Sequence, residues 1–114
     1  MVDCIFCRIA AGHCETPLLY DDGEILAFPD LHPQAPFHAL LIPRAHIANT
    51  LALRPEHDPL IGRIIRVAAG LTTERGIAHD GYRLVTNTNA MAGQSVYHLH
   101  FHLLGGRALT WPPG

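Results

Sequence analysis

The spacing of apolar positions changes several times along the chain, and each change marks an element. Cys4 to Ala11 reads as a short helical turn closed by Gly12. Leu18-Leu19-Tyr20 and Glu24 to Phe28 read as strands joined at Asp22-Gly23, a dipeptide that supplies the positive φ of a tight hairpin. Pro29, Pro33 and Pro36 then force an irregular loop, because proline has no N–H to give a ladder. That loop carries the polar patch Asp30-Leu31-His32-Pro33-Gln34. His38 to Ile42 is apolar enough for a buried strand and stops at Pro43. Helical spacing follows, with Asp58 as cap, Pro59 in the first turn, and Leu60, Ile61, Ile64, Ile65, Ala68 and Leu71 on one face. Gly76 is its stop. Tyr82 to Thr86 and Val96 to Leu104 read as two further strands around the loop Asn87 to Ser95, and the tail Trp111-Pro112-Pro113-Gly114 reads as extended. Strands on both sides of one main helix, without βαβ alternation, give an α+β fold. It is built on a mainly antiparallel five-stranded sheet with one main helix and a short N-terminal helix.

The run Tyr97-His98-Leu99-His100-Phe101-His102-Leu103 alternates strictly. On a strand it puts Tyr97, Leu99, Phe101 and Leu103 on one face and three imidazoles on the other, about 6.7 Å apart. The apolar face explains burial on one side. Nothing in packing explains three imidazoles on the opposite one. Spacing alone leaves metal binding and phosphate chemistry equally open, since H-x-H is a common ligand pair and neutral imidazole is a competent nucleophile toward phosphorus. Just upstream, Gly93-Gln94-Ser95 offers a small-residue turn whose N–H groups and hydroxyl suit a phosphate oxygen. A neighbouring protonated imidazole would serve as donor to an oxygen or a leaving group.

Composition narrows the field further. The chain has 114 residues, 48% hydrophobic and 16% charged, as befits one globular domain spanning 1–114. A formal charge of −2 gives no global reason to bind nucleic acid or a membrane, so any phosphate recognition must be local. No apolar run is long enough to span a bilayer, and Met1-Val2-Asp3-Cys4 lacks the basic start of a signal peptide. The three cysteines, Cys4, Cys7 and Cys14, fit a reducing, cytoplasmic compartment better than a disulfide framework.

The alternating stretch His98-Leu99-His100-Phe101-His102-Leu103-Leu104 resembles the signature of the histidine triad (HIT) family, closest to its nucleotide-binding branch of nucleoside phosphoramidate hydrolases. The resemblance extends through Asp3-Cys4-Ile5-Phe6-Cys7, Ala27-Phe28, Pro33-Gln34-Ala35-Pro36, Ile42-Pro43-Arg44-Ala45-His46-Ile47, Gly93-Gln94-Ser95-Val96-Tyr97, Leu104-Gly105-Gly106-Arg107 and the Trp111-Pro112-Pro113-Gly114 ending. It implies a HIT-like fold and hydrolysis of purine, chiefly adenosine, 5′-phosphoramidates through a nucleotidyl-histidine on His100. The alternatives are dinucleoside polyphosphate hydrolysis or phosphorolysis, as in neighbouring branches, and a nucleotide-binding regulator with vestigial turnover. By the same resemblance His102 and Ser95 contact the phosphate and help the leaving group depart, Gly93 lends its backbone, and Asp30 binds the ribose hydroxyls. Asn87 lies beside the phosphate, and Phe6, Phe28 and Leu31 lie around the base, although core packing explains these apolar residues nearly as well. Asn89 stands where many relatives have glycine, which bears on the shape of the loop.

Cys4-Ile5-Phe6-Cys7 is a C-x-x-C pair, by itself compatible with half a zinc site, a redox pair or coincidence; no βαβ pattern supports a thioredoxin-like reading. The resemblance implies a structural zinc on Cys4, Cys7, His46 and His98, and no catalytic metal. The His98 carbonyl would at the same time orient His100. Cys14, His13, His32, His38, His57 and His79 earn no role. The resemblance further implies a homodimer whose Trp111 tail lies near the partner's active site.

Overall fold

The computed structural model describes residues 4–114; Asp3, the first residue of the N-terminal motif, lies outside the described residues. Five strands form one antiparallel sheet in the order β1-β2-β3-β5-β4. They are β1 (Tyr20–Asp21), β2 (Ile25–Pro29), β3 (Phe37–Pro43), β4 (Tyr82–Val85) and β5 (Phe101–Gly105), with α1 (Ile5–Ala10) before them and α2 (Asp58–Glu74) between β3 and β4. The α+β expectation holds. At the β1–β2 hairpin Asp22 Oδ1 accepts the N–H groups of Glu24 and Ile25, and Gly23 turns at φ 93°. Burial pushes the Asp22 carboxyl upward, but these two N–H bonds, the Tyr20 hydroxyl and Arg63 outweigh it and hold the pKa at about 2. Arg63 thereby ties α2 to the hairpin at 2.7 Å.

The two faces of the sheet do different work. Ile25, Ala27, Ala39, Leu41, Leu99, Phe101 and Leu103 pack with Ile64, Ala68 and Leu71 of α2. On the other face Leu26, Phe28, Leu40 and Ile42 pack under α1 through Cys4, Phe6 and Ala10. Partners across a ladder share a face. Register therefore aligns Phe28, Leu40 and His102 in one row. The ladder continues one step through Asp30 N–H to the His38 carbonyl, 2.9 Å, which sets Asp30 beside His38 in the next row. The face that α1 leaves uncovered thus carries a carboxylate and two imidazoles from three adjacent strands.

Several boundaries differ from the sequence reading. β5 begins at Phe101 rather than Val96, so His98 and His100 precede the ladder. Continuing the register would pair Leu99 with Pro43, which has no N–H to donate. Other bonds replace the ladder: Leu99 N–H donates to the Ile47 carbonyl and the Thr86 hydroxyl to the His100 carbonyl. The inside-outside alternation survives for Leu99, Phe101 and Leu103, but Tyr97 is exposed. Pro29 ends a strand instead of lying in the loop, while the strand expected to stop at Pro43 ends there. Asp58 is the first residue of α2, which follows a 3₁₀ turn over Pro55–His57, and Ile65 faces solvent. Gly76, at φ 72°, stops the helix as expected. Among the described residues no helix is long and apolar enough to cross a membrane.

Candidate active site

The N-terminal turn places the first part of the site. Cys4 caps α1 by accepting the Cys7 N–H on its sulfur, so the C-x-x-C spacing aims both sulfurs at one point. His98 reaches that point from the segment before β5, its Nδ1 3.4 Å from Cys4 Sγ and 3.5 Å from Cys7 Sγ. His46 Nδ1 lies 3.2 Å from Cys7 Sγ. The four ligand atoms fall within 4.8 Å of one another. A tetrahedral zinc with ordinary bond lengths sets sulfur–nitrogen edges of about 3.5 Å, so the donor set fits. His98 is fully buried, and its Nε2 donates to the Pro43 carbonyl at 2.8 Å, which leaves the Nδ1 lone pair toward the sulfurs. Burial lowers the His98 pKa and raises that of Cys7, the latter aided by its neighbour Cys4.

The tautomers of the remaining imidazoles follow from their partners. His100 Nδ1 donates to the His98 carbonyl at 2.7 Å. Its Nε2 keeps a lone pair with no partner among the described residues, where no fully buried side-chain nitrogen lacks one, so this atom opens on solvent. Phe6 packs edge-on against the His100 ring at 5.1 Å and holds it. The imidazole is itself only 7% exposed, so this face is far less open than alternation on a half-solvated strand suggests.

His38 was given no role from sequence, yet it is the pivot of the second half. Gln34 N–H donates to its Nδ1 at 3.0 Å, so the proton sits on Nε2. That Nε2 lies 2.9 Å from His102 Nδ1 and 3.4 Å from Asp30 Oδ2. The shorter contact makes His102 Nδ1 an acceptor and leaves His102 with its proton on Nε2. Burial lowers both pKa values, that of His102 also through the neighbouring His100 and His38, so both rings are neutral near pH 7. Asp30, His38 and His102 lie close enough to suggest a second metal site. The Gln34 amide argues against it, because a His38 Nε2 that must keep its proton has no lone pair to offer.

The loop between β4 and β5 makes the rim. Ser95 is exposed, and its hydroxyl and N–H have no partner among the described residues. Asn87 is half-buried. Gly93 contributes a left-handed turn at φ 88°, while its own N–H is taken by the Ala90 carbonyl. Asn89 holds φ 68°, the one non-glycine positive φ among the described residues, which explains physically why glycine suits this position. Phe6 and Phe28 pair edge-to-face at 5.5 Å inside the core, whereas Leu31 is 91% exposed. Sequence reasoning missed His38, Asn49 and the structural role of Gln94. For His38 a signal existed, since it shares strand parity with Leu40 and Ile42; for Asn49 there was none.

Comparison with known proteins agrees with this geometry. Residues 3–109 match the family model described as the scavenger mRNA decapping enzyme C-terminal binding domain. The chain is 47% identical over 105 residues to the purine nucleoside phosphoramidase of Escherichia coli, covering 92% of this chain and 88% of that protein. It is 46% identical over 112 residues to an uncharacterized HIT-like protein of Synechococcus elongatus, covering 98% and 97%. The crystal structure of a HIT family hydrolase from Legionella pneumophila superposes with a TM-score of 0.96 at 46% identity, over 98% of this chain and 100% of that one. A histidine triad protein from Clostridium difficile gives 0.92 at 35% identity, over 96% of each chain.

Proposed function

The chain belongs to the histidine triad family of hydrolases, and on that premise we propose that it cleaves the P–N bond of purine nucleoside 5′-phosphoramidates, adenosine derivatives foremost. The similarity to a purine nucleoside phosphoramidase supports the substrate class. The observation that carries the mechanism is the bond from His100 Nδ1 to the His98 carbonyl, which leaves the Nε2 lone pair facing outward. In this reading Nε2 attacks the α-phosphorus; a P–N bond to His100 forms as the substrate's P–N bond breaks. The departing amine leaves as its nitrogen takes up a proton from solvent, held by a hydrogen bond from the His102 Nε2–H. Water then attacks the nucleotidyl-histidine and gives its proton to solvent, which releases the nucleoside monophosphate and restores His100.

The remaining residues bind and orient. The free hydroxyl and N–H of Ser95 meet phosphate oxygens, with Asn87 beside them and Gly93 shaping the turn. Asp30 accepts from the ribose hydroxyls, a task two carboxylate oxygens suit. Leu31 offers the open apolar surface for the base, and Phe6 and Phe28 support it from within. Cys4, Cys7, His46 and His98 would hold a structural zinc that ties α1 to the segment before β5, leaving catalysis to the histidines. A homodimer completes the proposal. Trp111 is 82% exposed and finds no seat on its own chain, and β4 leaves one edge of the sheet open; both favour a second copy against that side.

The test is steady-state hydrolysis of adenosine 5′-phosphoramidate. His100→Ala should lose at least ~10³-fold in kcat while still binding AMP. Turnover of this variant at the wild-type rate would overturn the assignment.

A further inference from the structure

The loop from Asn87 to Ser95 is held from outside itself. Asn49, buried to 7% exposure and 40 residues away in sequence, donates from Nδ2 to Asn89 Oδ1 at 3.0 Å and to Gln94 Oε1 at 3.2 Å. Its own Oδ1 accepts the Leu51 N–H at 3.0 Å. Gln94, also buried, accepts the Asn89 N–H on Oε1 at 2.8 Å and donates from Nε2 to the carbonyls of Ala48 and Val96 at 2.9 and 3.1 Å. The orientation of both amides is thereby fixed: the atom facing the Asn89 N–H must be oxygen, so the Asn49 atom facing that oxygen must be nitrogen. Thr50, next after Asn49, and Thr88, just before Asn89, add a hydroxyl contact at 2.6 Å.

This network converges on the most strained residue of the rim. Asn89 has φ 68° and ψ −179°, a backbone conformation that side chains other than glycine rarely adopt. Glycine would occupy it without help. Asparagine needs its side chain and its N–H held, and Asn49 with Gln94 holds both. Ser95 follows Gln94 directly, so where Gln94 sits decides where the Ser95 hydroxyl and N–H point.

We propose that Asn49 is a positioning residue for catalysis: by clamping Asn89 and Gln94 it fixes the phosphate-facing geometry of Ser95 without touching substrate itself. The role rests on the phosphoramidase reading above. It predicts a dependence strongest in a chain with asparagine at position 89, because glycine adopts that φ unaided and leaves Asn49 only its bond to Gln94.

The experiment compares wild type, Asn49→Ala, Asn89→Gly and the double variant, using adenosine 5′-phosphoramidate kinetics and hydrogen exchange at the residue-89 N–H. Asn49→Ala should lower kcat/KM at least tenfold and speed that exchange at least tenfold. Asn89→Gly should stay within threefold of wild type, and Asn49→Ala on the Asn89→Gly background should cost less than threefold more. A lower melting temperature with unchanged kcat/KM, or an equal loss on both backgrounds, would overturn the proposal. Should Asn49→Ala fail to fold, the wild type decides: fast exchange at the Asn89 N–H overturns the clamp, slow exchange with active Asn89→Gly supports it. Wild-type turnover separates the two claims, since its absence overturns the function proposed above, whereas normal wild-type turnover with unchanged Asn49→Ala kinetics overturns the clamp alone.

Discussion

Each imidazole of the site has one nitrogen committed to a fixed partner, and that commitment decides what the other can do. His98 gives Nε2 to the Pro43 carbonyl and keeps Nδ1 for the cysteines; His100 gives Nδ1 to a carbonyl and keeps Nε2 as a lone pair. His102 is set through His38, itself set by the Gln34 N–H. Three histidines of one motif thereby stand in three different hydrogen-bonding states. A pH prediction belongs at this scale. Burial lowers the folded-state pKa of His38 and His102, the Asp30 carboxylate opposing it only in part, so folding favours their neutral forms. The sign follows from linkage: the stability tied to these rings is intact above an unfolded pKa of about 6.5 and is lost as pH falls below it. NMR titration of the folded protein should place both midpoints below about 6.5; a midpoint above that value for either ring would contradict the burial argument.

At the scale of elements, period and turn chemistry made most of the fold legible. The Asp22-Gly23 hairpin, the Gly76 stop and the antiparallel α+β class all follow from local residue choices, and the structure has them. The extent of β5 was not legible, because the alternation of 97–103 continues past the point where the partner strand runs out of donors at Pro43. Alternation reports which way side chains face. It does not report whether a ladder is present. For the same reason His38 went unassigned, since its neighbours Asp30 and His102 are set by cross-strand register that no local pattern encodes. Ile65 escaped the helical pattern by lying at the edge of the apolar stripe. The short α1 depends on a different kind of support: six residues with little core of their own, capped by Cys4 and facing a donor set of zinc-like dimensions. Cys4→Ser should lower both bound zinc, measured by elemental analysis at about one per wild-type chain, and the melting temperature by several degrees. A metal-free wild type whose stability the substitution leaves unchanged would reduce the pair to ordinary small residues.

For the whole molecule, one sheet separates two jobs. The face under α2 is a continuous apolar core, and the opposite face is core beneath α1 and chemistry beyond it. The C-terminal segment runs past β4, with Thr110 held by Arg83 at 2.9 Å, and then presents Trp111 to solvent. An indole left open beside an unpaired sheet edge is the surface that the proposed dimer would cover. Deleting residues 111–114 should therefore change selectivity among phosphoramidate leaving groups more than it changes the melting temperature, and sedimentation should give a dimer for the full chain. An unaltered substrate profile, or a monomer at assay concentrations, would remove the tail from the account. The proposed chemistry requires a covalent bond between the nucleotide phosphorus and His100 Nε2. Rapid alkaline quench of enzyme mixed with adenosine 5′-phosphoramidate, followed by intact-mass measurement and peptide mapping at alkaline pH, tests for that bond. An adenylyl adduct should appear on the peptide bearing His100 and be absent from His100→Ala; turnover with no adduct at any quench time, or an adduct on His102 instead, would rule out His100 as the nucleophile.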